Sequence, residues 1–145
     1  MQIYNARYAD NNQRFIMACI ASFVSAIGFG VLFGLIKSLL MIIPSILFVV
    51  VGYGIAWVIR KTGRGVSQKF MILGAIMTFL SILVADTCSV VGVGAFLSNI
   101  FNPQMWSFAL QAWFSTYLST NLNSILGLIL RGIGIYCGYI YSVVL

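Results

Sequence analysis

The chain alternates long apolar runs with short polar or charged stretches. The apolar runs cover residues 15–36, 39–59, 70–97 and 125–145. An α-helix of about 20 apolar residues crosses a hydrocarbon core of roughly 30 Å. We therefore expect an all-α integral membrane protein, in which a bundle of four transmembrane helices forms a single membrane domain over residues 1–145.

A further helix is expected between the third and fourth spans. Asn102 can cap a helix and Pro103 suits its first turn, so the pattern predicts a helix over about 103–120. Its uncharged, amphipathic pattern indicates an outer interfacial helix that is anchored by aromatic rings. The rings are those of Trp106, Trp113 and Tyr117. A half-inserted or spanning segment remains the alternative, and it would move the carboxyl terminus to the other side.

Composition and charge support this picture and orient it. Apolar residues make up 61% of the chain and charged residues 7%, and the net charge is +6. Soluble domains carry about 25% charged residues. Because cytoplasmic segments are enriched in Lys and Arg, we expect both termini and the loop between the second and third spans to be cytoplasmic. The basic residues of those segments are Arg7, Arg14, Arg60, Lys61, Arg64 and Lys69.

Two details follow from this orientation. Lys37 and Ser38 are expected to form an outer turn, and Pro44 to mark the outer start of the second helix. The loop from Arg60 to Gly65 has no aromatic residue between its charges that could stack on a base. Orientation in the membrane explains this basic loop, and we expect no nucleic-acid partner.

Small residues form faces on three of the expected spans. In lipid, helices associate through close backbone approach, so such faces predict helix contacts. They consist of Ala18, Ser22, Ala26, Gly30 and Gly34 in the first span, of Gly74, Thr78, Ser81, Ala85, Cys88 and Gly92 in the third, and of Gly127, Gly134 and Gly138 in the fourth. The faces predict packing within the bundle. Because the face of the first span is long, a contact between copies of the chain is a second interpretation.

Asp86 and Arg131 are the charges that lie inside the expected spans. A charge at membrane depth needs a partner or a water-filled cavity. Their opposite signs predict an ion pair between the third and fourth spans. Two interpretations stay open: a fixed clamp that sets helix register, or an ion or proton pathway lined by Asp86 with Ser81, Thr87 and Ser89 nearby.

The residue types that carry catalysis are nearly absent. The sequence has no His and two acidic residues. A Ser or Cys nucleophile would therefore lack a base, and no set of metal ligands can be assembled. Cys19, Cys88 and Cys137 lie in separate apolar segments and are expected to be free thiols. We expect a protein that is not an enzyme and that holds no metal or cofactor.

Two stretches resemble a known group of proteins. One runs from Gly52 to Gly65 and continues from Phe70 to Asp86, and the other runs from Ile133 to Tyr139. They are similar to a small-residue-rich helix, a Gly/Arg turn, a following span and the end of the last helix in uncharacterised bacterial four-span membrane proteins. The resemblance implies a multi-pass protein of the bacterial inner membrane, and it implies no activity.

These features restrict the function to interactions within a membrane. The expected partners are the lipid bilayer and either other membrane subunits or further copies of the chain. The first interpretation is a non-catalytic accessory subunit of a larger membrane complex. The alternative is a homo-oligomeric channel with Asp86 and Arg131 near its path. A weaker alternative is an immunity-type protein that binds an inserting toxin.

Overall fold

A computed structural model describes residues 11–40, 46–63, 68–117 and 122–143. Within these ranges 93% of the residues are helical and none lies in a strand. The helices are α1 (Asn11–Leu40), α2 (Leu47–Gly63), α3 (Gln68–Val91), α4 (Val93–Ser98), α5 (Pro103–Tyr117) and α6 (Leu122–Tyr141). The all-α fold that the hydropathy pattern predicts is confirmed for this part of the chain.

The helices α1, α2, α3 and α6 pack as an antiparallel bundle. Gly63, at the end of α2, lies against Phe70 near the start of α3 and against Ala18 near the start of α1. Gly74 of α3 lies against Ser142, which follows α6. Helix α3 contacts every other helix, whereas α1 packs mainly on α3 and α2 packs mainly on α6. Residues of α3 therefore occupy the centre of the bundle.

The two ends of the bundle differ in charge. The basic end is where α1 begins and α2 ends, and its charged side chains are exposed or half-buried. They are Arg14, Arg60, Lys61 and Lys69. The Lys61 ammonium lies over the Trp57 ring, 4.8 Å from its centroid. We call the opposite end, where α1 and α3 end and α2 and α6 begin, the far end.

Two segments of the described chain are long and apolar enough to cross a membrane. They are Asn12–Lys37 and Gln68–Val91, with 26 and 24 residues. The apolar segment Ile125–Tyr141 is shorter, and α2 has 17 residues. Two of the four expected spans thus meet the criteria of length and composition by themselves.

The outer turn predicted at Lys37 and Ser38 is wrong. Helix α1 continues through both residues to Leu40, and α2 begins at Leu47 and extends to Gly63. The expected boundary at residue 39 and the expected end at residue 59 are therefore both displaced. Lysine is a good helix former, and the ammonium of Lys37 has a carboxylate partner on α3. The charge therefore did not require the helix to end.

The third span is not one continuous helix over 70–97. Helix α3 ends at Val91, and α4 follows after Gly92, whose φ is +91°. Glycine adopts this left-handed region without the steric penalty that a side chain brings. Asp86 consequently lies about 8 Å from the end of α3, at 1.5 Å per residue, rather than deep within a longer span.

The last two helices begin and end close to the expected positions. Helix α5 begins at Pro103, and the Asn102 side-chain oxygen accepts a hydrogen bond from the Gln104 amide at 3.1 Å, which is the predicted cap. Helix α6 begins at Leu122 and ends at Tyr141, instead of covering 125–145. Expectations for Arg7, Pro44, Arg64 and residues 118–120 and 144–145 lie outside the described residues.

One part of α3 is buried around its whole circumference. Every residue from Ser81 to Cys88 is buried. The bundle helices cover most of this segment, and α4 and α5 add a further cover: Phe96 packs with Cys88, and Ala109 is 5% exposed. The fold therefore places Asp86, near the end of α3, in an enclosed environment.

Candidate functional site

Asp86 and Arg131 are brought together as an ion pair between α3 and α6. Arg131 Nε donates to Asp86 Oδ2 at 3.2 Å, and Arg131 Nη2 donates to Oδ1 at 3.0 Å and to Oδ2 at 3.1 Å. A guanidinium that donates hydrogen bonds to both carboxylate oxygens makes a strong and directional contact. The pair therefore joins α3 to α6 at the far end, as the opposite signs of the two charges predict.

Lys37 is a third member of this cluster, and the sequence reasoning missed it. Its Nζ donates to Asp86 Oδ1 at 3.1 Å. The predicted turn at Lys37 and Ser38 placed this lysine outside the spans, so it was not counted among the buried charges. The spacing contained a usable signal, because Lys37 lies three residues after Gly34 on a continuous helical pattern. We call Lys37, Asp86 and Arg131 the triad, and it joins α1, α3 and α6.

Two further groups hold the Arg131 guanidinium. Arg131 Nη1 donates to the backbone oxygen of Gly127 at 3.1 Å, one helical turn earlier in α6. The guanidinium carbon lies 4.4 Å from the centroid of the Phe48 ring, which belongs to α2. A cation over an aromatic face is stabilised by the ring quadrupole. Together, Asp86 and Arg131 thus contact residues of all four bundle helices.

The charges of the triad do not cancel. Asp86 is 8% exposed and Arg131 is 3% exposed, and buried charges of this kind persist because they are paired and hydrogen-bonded. Two cations share one carboxylate, which leaves one surplus positive charge. Lys37 is the most accessible member, with 17% of its side chain exposed. The surplus charge therefore lies closest to the surface at Lys37.

A small pocket of about 80 Å³ opens beside the triad, between α3 and α5 and at the end of α1. A cavity of this size can hold a few water molecules or one small polar group. Its lining residues are Lys37, Asp86, Thr87, Ser89, Val90, Phe108, Ala109, Ala112 and Trp113. Most of the wall is apolar, and its charged members are Lys37 and Asp86.

The hydroxyl groups proposed for a pathway are only partly gathered here. Thr87 donates to the Leu83 carbonyl and Ser89 to the Asp86 carbonyl, each at 2.7 Å, and both residues line the pocket. Ser81 does not line it, and its hydroxyl is buried without a hydrogen-bond partner among the described residues. The polar groups around Asp86 thus form a local pocket rather than a file along α3.

The small-residue face of α1 packs against helices of the same chain. Its members Ala18, Ser22, Ala26, Gly30 and Gly34 are all buried. A Cβ atom at Gly30 would lie 2.7 Å from Val84 Cγ1, and one at Gly34 would lie 2.5 Å from Cys88 Cβ. These separations are shorter than van der Waals contact, so α1 and α3 approach as closely as glycine allows.

The glycines of α6 serve two different contacts. A Cβ atom at Gly134 would lie 2.7 Å from the Phe48 carbonyl oxygen of α2. Gly138 faces α3, where it lies against Thr78 and Gly74. Gly127 is buried and supplies the carbonyl that holds Arg131. The glycine positions of α6 therefore allow α2 and α3 to approach from different sides.

The tryptophans of α5 pack on aromatic side chains of the same chain, and the expected placement of α5 at an outer membrane interface stays a prediction. Trp106 Nε1 donates to the Ile100 carbonyl at 2.9 Å, and its ring meets Phe96 edge to face at 6.0 Å. Trp113 packs on Phe79 of α3 in the same manner, at 5.8 Å. The Tyr117 side chain lies outside the described part of the structure. The aromatic stripe is used to attach α5 to the bundle.

Metal and thiol chemistry gain no support from the geometry. Within the described ranges, His, Cys, Asp and Glu form no group of three that could hold a metal ion. Cys19, Cys88 and Cys137 are free. The chemistry that the site offers is therefore ionic pairing and hydrogen bonding near a small pocket.

Comparisons with known proteins leave the resemblance to four-span bacterial proteins as an expectation. Comparison of the chain with protein-family models, with curated proteins and with solved structures finds no match.

Proposed function

We propose that this chain is a non-catalytic membrane protein with four spans that serves as an accessory subunit of a larger membrane complex. The observation that carries the membrane assignment is the distribution of exposed residues. Along 16–39 of α1, 72–90 of α3 and 125–141 of α6, every exposed position among the described side chains is apolar, aromatic or glycine. A water-soluble protein does not expose continuous apolar surfaces of this extent.

The interior supports the same proposal. Buried polar residues include Ser22, Thr78, Ser81, Asp86 and Arg131, so the bundle is more polar inside than on its lateral surface. The exposed apolar stretch over 16–39 rises about 35 Å at 1.5 Å per residue, close to a hydrocarbon core of roughly 30 Å. Helices α2 and α6 pack lengthwise within the same bundle, and they would share that depth.

The orientation proposed for the bundle places the basic end in the cytoplasm of a bacterium, with both termini on that side. We expect an impermeant maleimide to label Asn99→Cys in intact cells and Lys69→Cys only after permeabilisation, in a chain without Cys19, Cys88 and Cys137. Lys69 is exposed in the first turn of α3, and Asn99 is exposed beyond the opposite end of that helix. The cysteine-free chain is the control, and labelling of both sites from one side would contradict a crossing by α3.

The accessory role rests on two observations: the buried charges are paired within one chain, and the small-residue face of α1 is covered by a helix of the same chain. Asp86 is held by Arg131 and Lys37 inside one chain, so no second copy is needed to neutralise it. The homo-oligomeric channel has less support, because its contact face on α1 is covered by α3. What the chain leaves available for partners is its outer surface, which includes the exposed side of α5.

The test is the identity and mass of what remains bound after mild solubilisation of the tagged chain. We expect a larger membrane protein in fixed stoichiometry, whereas a closed homo-oligomer with nothing else bound would favour the channel. Leu110→Ala with Phe114→Ala on α5 should reduce the partner recovered by about tenfold, or ~1.4 kcal/mol. The matched control is Leu128→Ala with Ile129→Ala on α6, since the two pairs are similarly exposed (41% and 54% against 42% and 53%).

A further inference from the structure

We infer that the pocket beside the triad binds the acidic headgroup of an anionic amphiphile, such as a phospholipid of the surrounding bilayer, with Lys37 as its main contact. The inference uses the membrane location proposed above, and it does not depend on the accessory role. It starts from charge: Lys37 and Arg131 together carry two positive charges, against one on Asp86. A surplus cation in a poorly hydrated environment attracts an anion.

Lys37 has the capacity to hold such a group. An ammonium carries three donors, and one of them is directed to Asp86 Oδ1 at 3.1 Å. Among the described residues, no other acceptor takes a hydrogen bond from Lys37 Nζ. The side chain is 17% exposed and lines the pocket. Its remaining donors can therefore reach phosphate or carboxylate oxygens as charge-assisted hydrogen bonds.

The rest of the pocket favours an amphiphile over a free inorganic anion. Ala109, Ala112 and Trp113 form apolar walls. At the rim lie Val90 and Phe108, which are 65% and 49% exposed. A volume of about 80 Å³ accommodates a small acidic group, while an attached chain would leave past the two rim residues onto the apolar surface. A free inorganic anion has no apolar part that could pack against these walls.

The experiment measures retained lipid by native mass spectrometry of the full chain released from nanodiscs. The nanodiscs contain phosphatidylcholine with a minor fraction of phosphatidylglycerol, and the charged and neutral lipids are counted separately. Lys37→Met removes the cation and leaves the Asp86–Arg131 pair intact. Ala112→Leu fills the pocket without changing any charge. Lys69→Met is the matched control, because it removes an exposed lysine at the basic end.

We expect one phosphatidylglycerol to be retained by the unmodified chain and by Lys69→Met. Retention should fall about tenfold, equivalent to ~1.4 kcal/mol, in Lys37→Met and in Ala112→Leu. Equal retention in all four proteins would overturn the inference, as would equal retention of phosphatidylcholine. Displacement of the lipid by millimolar inorganic phosphate would assign the pocket to a free anion and would also overturn it. A failure to recover any protein partner would bear on the accessory role alone.

Discussion

Replacement of Asp86 by Asn is expected to lower the free energy of unfolding by about 3–5 kcal/mol, because it leaves charged groups buried without their counter-ion. Both Arg131 and Lys37 direct hydrogen bonds to this carboxylate. Removal of this carboxylate thus leaves both Arg131 and Lys37 without their counter-ion. The measurement is unfolding by SDS titration in mixed micelles, followed by tryptophan fluorescence. Arg60→Gln, at an exposed position of the basic end, is the control and should change little.

The triad also predicts an order among the three single changes. Arg131→Gln leaves Asp86 paired with Lys37, so the loss should be about 2–3 kcal/mol. Lys37→Gln leaves the more extensive Arg131 contact, and its partly exposed position limits the loss to about 1 kcal/mol. A simple two-residue ion pair would instead give equal losses for Asp86 and Arg131 and none for Lys37.

The double variant Asp86→Asn with Arg131→Gln should recover part of the loss caused by Asp86→Asn alone. Once both buried charges are gone, Lys37 is left as a single cation near the surface. Coupling of this kind is what a double-mutant cycle measures for groups in contact. Losses that simply add in the double variant would contradict the pairing, whatever their individual size.

The pairing of Asp86 with Arg131 could be predicted from sequence because their signs are opposite and their expected depths are similar. The signal for Lys37 is weaker: its spacing from Gly34 continues the helical pattern but does not show that the helix extends to it. A lysine at the edge of an apolar run is consistent with a loop or with a helix end. What decides between them is a carboxylate within reach on another helix, which is a tertiary contact. A turn at Lys37 therefore excludes this lysine from the buried charges, whereas the continued helix brings it to Asp86.

The helix break at Gly92 illustrates a second limit. Gly92 and Gly94 both lie in the same apolar run, and composition does not indicate which glycine adopts a positive φ.

The pattern of α5 shows a third limit. Periodicity identified the face that carries Trp106 and Trp113, but amphipathicity does not say whether such a face meets lipid or protein. In this fold, Trp106 contacts Phe96 and Trp113 contacts Phe79.

Introduction of Leu at Gly134 is expected to destabilise the bundle by about 3 kcal/mol relative to Leu at Gly132. Both positions lie in α6, so any gain in helix propensity is shared between the variants. A Cβ atom at Gly134 would come within 2.7 Å of the Phe48 carbonyl oxygen, whereas one at Gly132 would meet nothing within 4 Å. Because the obstacle at Gly134 is backbone, a rotamer change cannot relieve it.

The consequence should extend from the helix crossing to the triad. Moving α2 away from α6 would also withdraw the Phe48 ring from Arg131, which it contacts at 4.4 Å. The same SDS titration measures the loss, and Gly134→Ala should give a smaller loss than Gly134→Leu in the same direction. Combined with Arg131→Gln, Gly134→Leu should lose less than the sum of the two single changes, since the ring contact can be lost once. Equal stability of the Gly132 and Gly134 variants would mean that α2 and α6 do not cross at glycine distance, and the support that Phe48 gives to Arg131 would then need another origin.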